Sequence, residues 1–342
     1  MQQQHNTIPA TPLPLTRNEL EWQQQRNEGI GSSDASIIFG LSTYESPYSL
    51  WLQKTGQTPL DVPVDDRTQE LRRFGHILEP IILAETNTQL GTNIIKPDRA
   101  YRHPEISWLR CNLDGWEPTR RAVGEFKNVQ QFQAHQWDGQ VADHAEIQVH
   151  HAAAVLSHDK PITNAIVSAL IGGNQLRINE IEINPNIVEI IIEQETKFWR
   201  CVETRTPPDV DGHERTLQAL TKEWAHRPKP QEVSREQVEP IWEDFHRAKQ
   251  AETEAKELKR LAQAKLAQLM DGHDALTTGD KYWAKTTGGR LDVNRLAADE
   301  PELVAKYVEP QPTFNTEKFK QDHAETYRKY QFTSITPTKK KD

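Results

Sequence analysis

Apolar positions in the first part of the chain alternate between two spacings. Helical spacing, with apolar residues three and four apart, recurs at 35–39, 48–52 and 77–90. Short apolar runs typical of strands lie at 107–113, 123–129 and 165–171. This alternation predicts a mixed α/β core, with helices and strands interleaved, from about residue 20 to residue 199.

Polar and Pro-containing sequence flanks this core on both sides. Residues 1–16 offer little to bury, and we expect a flexible N-terminal arm there. After the core, two Pro-rich breaks at 206–209 and 227–230 enclose one further helix at 214–224. The main domain is therefore predicted to occupy 17–230.

One long helix is predicted at 234–271, where Gly is absent and apolar residues keep helical spacing. Seven Lys or Arg and eight Asp or Glu accompany its Ala-rich stripe, which favours a solvated antiparallel coiled-coil arm. The remainder, 272–342, is predicted to be a small α/β extension. Its expected parts are a hairpin around 281–285, short helices at 292–307 and 317–330, and a basic tail at 339–341.

The charge balance narrows the classes of function. Lys and Arg total 41 against 50 Asp and Glu, a formal net charge of −9. This balance argues against a protein that coats nucleic acid through bulk positive charge, although it allows a local basic groove. Apolar runs are too short for a membrane span, no secretory signal is visible, and the two cysteines favour a reducing compartment. We therefore expect a cytoplasmic protein with no membrane partner.

Acidic residues mark the segment that carries candidate chemistry. Asp114 is predicted to end an apolar strand, with Gly115 opening a turn before the strand that contains Glu125. Neighbouring strands then bring Asp114 and Glu125 together. Because strand side chains alternate, Glu125 and Lys127 share one face of the second strand.

The Glu-x-Lys triplet is a weak motif by itself. Four such triplets occur, starting at Glu125, Glu195, Glu254 and Glu257. Only the first lies on an apolar strand shortly after Asp-Gly, whereas the others lie in charged helical sequence. The alternative interpretation is a surface hairpin with a solvated Glu/Lys pair.

Glu79 adds weight to a functional interpretation. It lies on an otherwise apolar helix face beside Ile77, Ile81 and Ile82, where an unpaired carboxylate would be costly. Two carboxylates about 4 Å apart repel by roughly 4 kcal/mol at an effective dielectric near 20. Three converging acids therefore imply a compensating cation, and Mg²⁺ suits hard oxygen ligands and phosphate chemistry.

An ordered series of short motifs spans about residues 20 to 210. The motifs are Trp22 with Arg26, Gly29-Ile30-Gly31-Ser32-Ser33-Asp34-Ala35, Ser46-Pro47-Tyr48, Leu50-Trp51, Lys54-Thr55-Gly56, Phe74-Gly75, Glu79-Pro80, Leu113-Asp114-Gly115, Glu125-Phe126-Lys127 and Gln148. In this order they resemble the phage lambda exonuclease and YqaJ-like viral recombinase family of PD-(D/E)xK nucleases. The resemblance implies a restriction-endonuclease-like core, with a central mixed sheet flanked by helices.

The resemblance also implies roles for individual residues. The implied catalytic residues are Glu79, Asp114, Glu125, Lys127 and Gln148. Asp114, Glu125 and Glu79 match metal-binding acids, and the main-chain carbonyl of Phe126 is expected to join them. Lys127 matches the lysine that orients or activates the attacking water, and Gln148 matches a position that aligns it.

A second group of positions is implied to bind DNA and its terminal 5′-phosphate. These positions are Trp22, Arg26, Ser32, Ser33 and Asn112. Arg26 supplies a planar bidentate donor, and Ser33 opens a helix whose amides can receive a phosphate. Asn112 stands where the lambda enzyme has a serine, and Trp22 is a candidate for stacking near DNA. The alternative for Ser32, Ser33 and Asp34 is a role as helix caps, which we favour for Asp34.

The residues themselves predict metal-assisted phosphodiester hydrolysis, and the resemblance implies an Mg²⁺-dependent 5′→3′ exonuclease, with Mn²⁺ as a substitute, that acts on double-stranded DNA ends. The expected product is a 3′ single strand, and the expected partner is a single-strand annealing protein. By resemblance, we expect a homotrimeric ring and a phage or prophage protein in a bacterial host cell. The alternatives are a non-catalytic DNA-end-binding or recombination assembly module of the same fold, and an endonuclease.

Histidines at 135, 144, 150, 151 and 158 invite a zinc interpretation. His151 and His158 could share a helix face, but no Cys lies near them and their spacing matches no common zinc site. Packing or phosphate contacts are the expected roles of these side chains.

Overall fold

The computed structural model describes residues 8–58, 66–224, 230–286, 291–307 and 314–329. The described residues fall into two compact units, divided between Leu220 and Thr221. The first unit contains all of the candidate site residues.

Among the described residues, the first unit has seven strands, namely β1 (Thr11–Pro12), β2 (Tyr101–Arg102), β3 (Arg110–Cys111), β4 (Gly115–Glu117), β5 (Ala122–Val129), β6 (Asn164–Ile171) and β7 (Gln175–Glu182). The last four form one sheet in the order β4-β5-β6-β7. Strands β5 and β6 are parallel, whereas β4 with β5 and β6 with β7 are antiparallel. The sheet is therefore mixed, as the sequence predicted.

The helices of this part of the chain are α1 (Glu19–Asn27), α2 (Ser32–Ile38), α3 (Pro47–Lys54), α4 (Asp66–Leu90), α5 (Asp143–Leu156), α6 (Pro185–Thr204) and α7 (Glu214–Trp224). The contacts of strand β5 show how two of these helices, α4 and α5, cover the sheet. Its Val123 packs in one cluster with Val149 of α5, whereas its Phe126 packs in another with Ile82 of α4. Because successive side chains of a strand point to opposite faces, α4 and α5 cover opposite faces of β5.

Two glycines allow β4 and β5 to pair closely. Gly115 pairs with Gly124, and a Cβ on Gly115 would lie 2.6 Å from Cγ2 of Ile94. A Cβ on Gly124 would lie 3.2 Å from the Cα of Gly115. The prediction that Gly115 opens a turn is wrong, because Gly115 begins β4 and the turn follows at residues 118–121.

The predicted flexible arm at residues 1–16 is wrong for its second half, and residues 1–7 lie outside the described part of the chain. Thr11 and Pro12 form β1, which pairs antiparallel with β2. Leu13 is buried, and its main-chain N–H donates a hydrogen bond of 2.8 Å to the carbonyl of Ala100. Main-chain pairing stabilises this segment, and such pairing leaves little trace in a Pro-rich sequence.

The second unit contains the predicted long helix, α8 (Arg235–Met270), with no buried residue. The hairpin and short helices are β8 (Ala275–Thr278), β9 (Lys281–Lys285), α9 (Val293–Asp299), α10 (Pro301–Ala305), α11 (Thr316–Asp322) and α12 (Ala324–Lys329). The coiled-coil pairing stays a prediction, and the basic tail lies outside the described residues. Within the described ranges, every helix is too short or too polar to cross a bilayer.

Candidate active site

Two carboxylates meet where β5 pairs with β4. Asp114 directly precedes β4, and its Oδ2 accepts a hydrogen bond of 3.2 Å from the main-chain N–H of Phe126. Glu125 is the residue before Phe126 on β5. Burial, and then repulsion from Glu125, raise the pKa of Asp114 to about 7, against the attraction of Lys127. The two acids predicted to converge are therefore neighbours, and the Glu125 charge disfavours the ionised form of Asp114.

Lys127 is the cation beside this acid pair. It forms an ion pair with Glu125, and its Nζ donates a hydrogen bond of 2.8 Å to Oε1 of Gln148. Burial acts to lower the pKa of Lys127, but attraction by Glu125 and Asp114 outweighs it and the pKa is raised. Lys127 is consequently a fixed positive charge at neutral pH.

Gln148 connects the acid pair to two helices. Its Nε2 donates a hydrogen bond of 3.0 Å to Oγ of Ser36, on α2. The Ser36 hydroxyl in turn donates a hydrogen bond of 3.0 Å to the main-chain carbonyl of His144, on α5. Because Gln148 is buried and bonded at both ends of its amide, it fixes the position of the Lys127 ammonium.

Glu79 does not join the two acids directly. Ile77 and Ile81 on α4 are 45% and 56% exposed, and Glu79 forms an ion pair with Lys96. Among the described residues, no three acidic, His or Cys side chains cluster closely enough to hold a metal ion. Lys96 therefore supplies a cation beside Glu79. The charge of Glu79 still contributes to the raised pKa of Lys127, and its role as a ligand stays a prediction.

Arg26 forms the basic part of the site, in the last turn of α1. Its Nη2 donates hydrogen bonds of 2.8 Å to Oγ of Ser33 and 2.8 Å to Oδ1 of Asp34. Its guanidinium carbon lies 5.5 Å from the ring centroid of Trp22, within the range of a cation–π contact. The structure thus brings together Trp22, Arg26 and Ser33, which were predicted to bind DNA.

Asp34 does more than cap a helix. Its Oδ2 accepts a hydrogen bond of 3.1 Å from the main-chain N–H of Gly31, which confirms the capping role. The same carboxylate is fully buried between Arg26 and Lys54. Burial acts to raise the pKa of Asp34, but Lys54 and Arg26 outweigh it and hold the pKa well below its usual range.

One cavity of about 210 Å³ joins the acidic and basic groups. Its lining includes the acid pair with its lysine and glutamine, and also every residue predicted to bind the DNA end. Its lining residues are Leu13, Trp22, Gln25, Arg26, Gly31, Ser32, Ser33, Ala100, Arg110, Cys111, Asn112, Asp114, Glu125, Lys127 and Gln148. Glu79 is absent from this lining. Two groups of residues that were predicted separately from the sequence therefore face one space.

Sequence reasoning gave no role to Arg110, which also lines the cavity. Its Nη1 donates hydrogen bonds of 2.8 Å to the carbonyl of Gln25 and 3.1 Å to Oε2 of Glu28. Lys96 was likewise missed. The Lys54-Thr55-Gly56 motif included Lys54 without giving it a role, and no local pattern indicated that its partner is Asp34.

His150 and His151 are buried and have packing roles. His151 Nδ1 lies 2.6 Å from Oε1 of Glu195, and its Nε2 lies 2.7 Å from the carbonyl of Arg110. His150 Nδ1 lies 2.8 Å from the carbonyl of Glu146. These contacts fit the expected packing roles of His150 and His151.

Fold and site together define a mixed α/β protein with a carboxylate–lysine site beside a basic wall. Residues 21–165 match the model of the YqaJ-like viral recombinase domain. The chain is also 28% identical over 293 residues to the Bacillus subtilis (strain 168) protein YqaJ, which is uncharacterized. That match covers 84% of this chain and 89% of YqaJ.

Two solved structures are also similar to part of the chain. One is an alkaline exonuclease (LHK-Exo) from Laribacter hongkongensis, with 14% sequence identity and a TM-score of 0.40. The other is LHK-Exo in complex with dAMP, with 15% identity and a TM-score of 0.40. Each match covers 55% of this chain and 94% of the other chain.

Proposed function

We propose that this protein is a metal-dependent deoxyribonuclease that degrades one strand of linear double-stranded DNA from its 5′ end. The observation that carries the proposal is the shared cavity. It places Asp114, Glu125 and Lys127 in the same space as Arg26 and Ser33. One DNA end bound in this cavity can then place a phosphodiester at the acids and its terminal phosphate at Arg26.

The acid pair fits a hard divalent cation. Asp114 and Glu125 supply oxygen donors, and their mutual repulsion is the kind that a bound cation relieves. Mg²⁺ is the proposed ion and Mn²⁺ its substitute, with the main-chain carbonyl of Phe126 and the Glu79 carboxylate as further donors. When bound, such an ion supplies a Lewis acid for the phosphoryl oxygens and lowers the pKa of water.

Lys127 and Gln148 form the proposed water-positioning pair. The Lys127 ammonium lies against Glu125 and is held at 2.8 Å by the Gln148 side chain. A fixed cation in this place stabilises the negative charge that develops on the phosphoryl oxygens during attack by water. Because the Gln148 amide fixes the Lys127 ammonium, Gln148 acts, through Lys127, on the direction from which water attacks.

Arg26 and Ser33 are the proposed receptor for the terminal 5′-phosphate. Within the described part of the chain, Nη2 of Arg26 donates to Ser33 and Asp34, whereas its Nε and Nη1 make no hydrogen bond. These remaining N–H groups, with the Ser33 hydroxyl, suit phosphate oxygens. The exposed amide of Asn112 and the ring of Trp22 line the same cavity and complete the DNA-facing wall.

The proposed direction of digestion and biological setting rest on the match of residues 21–165 to the YqaJ-like viral recombinase domain. In that setting, the 3′ single strand left by the nuclease is the substrate of homologous recombination in a phage or prophage. A single-strand annealing protein is the proposed partner, and a homotrimeric ring is the proposed assembly.

The experiment that tests this proposal compares linear duplex DNA with closed circular DNA, each with Mg²⁺ or EDTA. An exonuclease shortens the linear DNA only with Mg²⁺ and leaves the circle intact. Cutting of the circle would instead identify an endonuclease. Binding of ends without any hydrolysis would identify a non-catalytic end-binding module.

A further inference from the structure

A buried ion-pair chain lies behind the cavity wall that Arg26 forms. Lys54 Nζ is 2.6 Å from Oδ2 of Asp34, and the other oxygen of Asp34 is 2.8 Å from Arg26 Nη2. The Lys54 and Asp34 side chains are 1% and 0% exposed, whereas that of Arg26 is 38% exposed. The chain therefore runs from the protein interior to one cavity-facing guanidinium.

Lys54 also holds the main chain of Arg26. Its Nζ donates a hydrogen bond of 2.8 Å to the main-chain carbonyl of Arg26, at the end of α1. Asp34, on α2, and Lys54, on α3, thus fix both the side chain and the main chain of a residue on a third helix. Because Lys54 is almost wholly buried, DNA bound in the cavity does not reach its ammonium.

We propose that Asp34 and Lys54 are positioning residues that set the end specificity of the enzyme through Arg26. This inference rests on the proposed function, in which Arg26 binds the terminal 5′-phosphate. Asp34 binds one edge of the guanidinium, which turns Nε and Nη1 toward the ligand. Lys54 neutralises Asp34 and ties the arginine backbone in place, so the guanidinium keeps one orientation before DNA arrives.

The physical basis is the cost of orienting a long side chain. A free arginine must lose rotamer freedom when it grips a phosphate, whereas a pre-positioned one loses less. Loss of the ion-pair chain should therefore weaken recognition of the phosphate specifically. It should leave contacts to the rest of the duplex unchanged.

The test measures binding without hydrolysis. Duplexes that differ only in a 5′-phosphate or a 5′-hydroxyl are titrated with the full-length protein in EDTA at one salt concentration. A charge-assisted bidentate contact predicts a wild-type preference of roughly ten- to hundredfold for the phosphorylated end. Because no catalysis is needed, the result is independent of the metal site.

The informative variants are Asp34→Asn and the double variant Asp34→Asn/Lys54→Met. The double variant removes both charges, so it leaves no buried ammonium without its partner. In both variants the preference should fall by about tenfold or more, toward the value of Arg26→Ala. In the Arg26→Ala background, Asp34→Asn should change the preference no further, because the pair acts through that arginine.

A matched control separates positioning from stability. Thr86, on α4, donates a buried hydrogen bond of 2.8 Å to Ser168, on β6. Thr86→Val should lower the melting temperature, as the Asp34 variants do, but it should keep the end preference.

Three results would overturn the inference. If the Asp34→Asn and double variants fold and keep the wild-type preference for the phosphorylated end, the positioning role is refuted. If Arg26→Ala loses that preference in the same experiment, the role of Arg26 as phosphate receptor is retained. If the Asp34 variants bind phosphorylated and hydroxyl ends more weakly by the same factor, in proportion to their lost stability and as Thr86→Val does, the Asp34–Lys54 pair is merely structural. A wild type with no end preference would refute the proposed role of Arg26, and the inference with it.

Discussion

At the scale of single residues, the acid pair and its lysine are the chemical centre of the site. Burial and the neighbouring Glu125 charge raise the pKa of Asp114, and Lys127, on the same strand as Glu125, counters this effect. The net result is a strong local field in a space that water and phosphate can enter. Lys127 is therefore the residue whose removal should separate catalysis from binding.

Lys127→Ala should lower the rate of DNA hydrolysis by at least ~100-fold, because it removes one electrostatic catalytic group. Binding of Mg²⁺, measured by calorimetry, should be largely retained. Lys197→Ala is the matched control, since Lys197 is exposed on α6 and pairs with Glu193. Complete loss of Mg²⁺ binding in Lys127→Ala would show a structural counter-ion instead.

Asp34 predicts how the stability of the protein depends on pH. Its pKa is lowered in the folded state, so the unfolded state binds its proton more readily. The stability that Asp34 contributes is present above about pH 4 and is lost as pH falls below that value. Asp34→Asn should therefore cost about 3–5 kcal/mol at pH 7, the scale of breaking a buried ion pair.

The same difference should shrink as the pH is lowered from 5 to about 2, because the wild type loses its advantage over that range. Urea unfolding of both proteins across this pH series measures the effect. A constant difference would show that Asp34 is not held ionised by Lys54 and Arg26.

The positions of site residues were predictable where a motif marked them, and unpredictable where burial decided the contacts. The Asp-Gly and Glu-x-Lys motifs located Asp114, Glu125 and Lys127, because strand alternation places such residues on one face. Lys54 and Asp34 are 20 positions apart and meet through the packing of α3 against α2. Pairing of this kind depends on tertiary structure, which no local spacing reveals.

At the scale of elements, the β4–β5 pair carries the acids, and the two glycines set how closely these strands approach. Sequence periodicity located α2, α3 and the part of α4 from residue 77 to 90, since apolar positions repeat there, but it missed the start of α4 at residues 66–76. It missed β4, which has only three residues, and it placed a turn at Gly115. A strand this short has no period to read, and the contact of Gly115 with Ile94 and Phe126 is non-local.

Gly124→Ala should lower both stability and activity. The new Cβ would lie 3.2 Å from the Cα of Gly115, so the strands must shift by a few tenths of an ångström. Overpacking of this kind costs about 1–3 kcal/mol, and a shift at β4 displaces Asp114 from Glu125.

Hydrolysis by Gly124→Ala should therefore fall further than the loss of folded protein explains. Thermal unfolding and nuclease rates, measured on the same samples, separate the two effects. Gly212→Ala is the control, because its Cβ would meet open space. Wild-type rates in Gly124→Ala would show that the spacing of the acids tolerates this strain.

At the scale of the whole molecule, all the residues of the site belong to the first unit, whereas α8 belongs to the second. A net charge of −9 accompanies a cavity wall with Arg26, Arg110 and Lys127, so the basic character is local. The sequence analysis had placed the candidate site residues in the main domain at 17–230 and the long helix outside it, at 234–271. It could not assign a role to the exposed apolar residues of α8.

Leu258→Asn tests whether α8 contributes to catalysis. Leu258 is 68% exposed in the second unit. A surface substitution of this kind usually changes stability by less than about 0.5 kcal/mol, so the rate of DNA hydrolysis should stay at the wild-type value. A marked loss of hydrolysis would place α8, or an assembly formed through it, in the catalytic activity.

In the proposed function, the acid pair and a divalent cation together hydrolyse phosphodiesters at DNA ends. Its most direct test follows the release of nucleotides from 5′-phosphorylated linear duplex with Mg²⁺, for the wild type, Glu125→Gln and Asp98→Asn. Asp98 is an exposed acid that pairs with Arg99 and serves as the matched control. We predict Mg²⁺-dependent release by the wild type and Asp98→Asn, and none by Glu125→Gln, which still binds the duplex. If Glu125→Gln released nucleotides at the wild-type rate, or if the wild type released none, the result would contradict this proposed function.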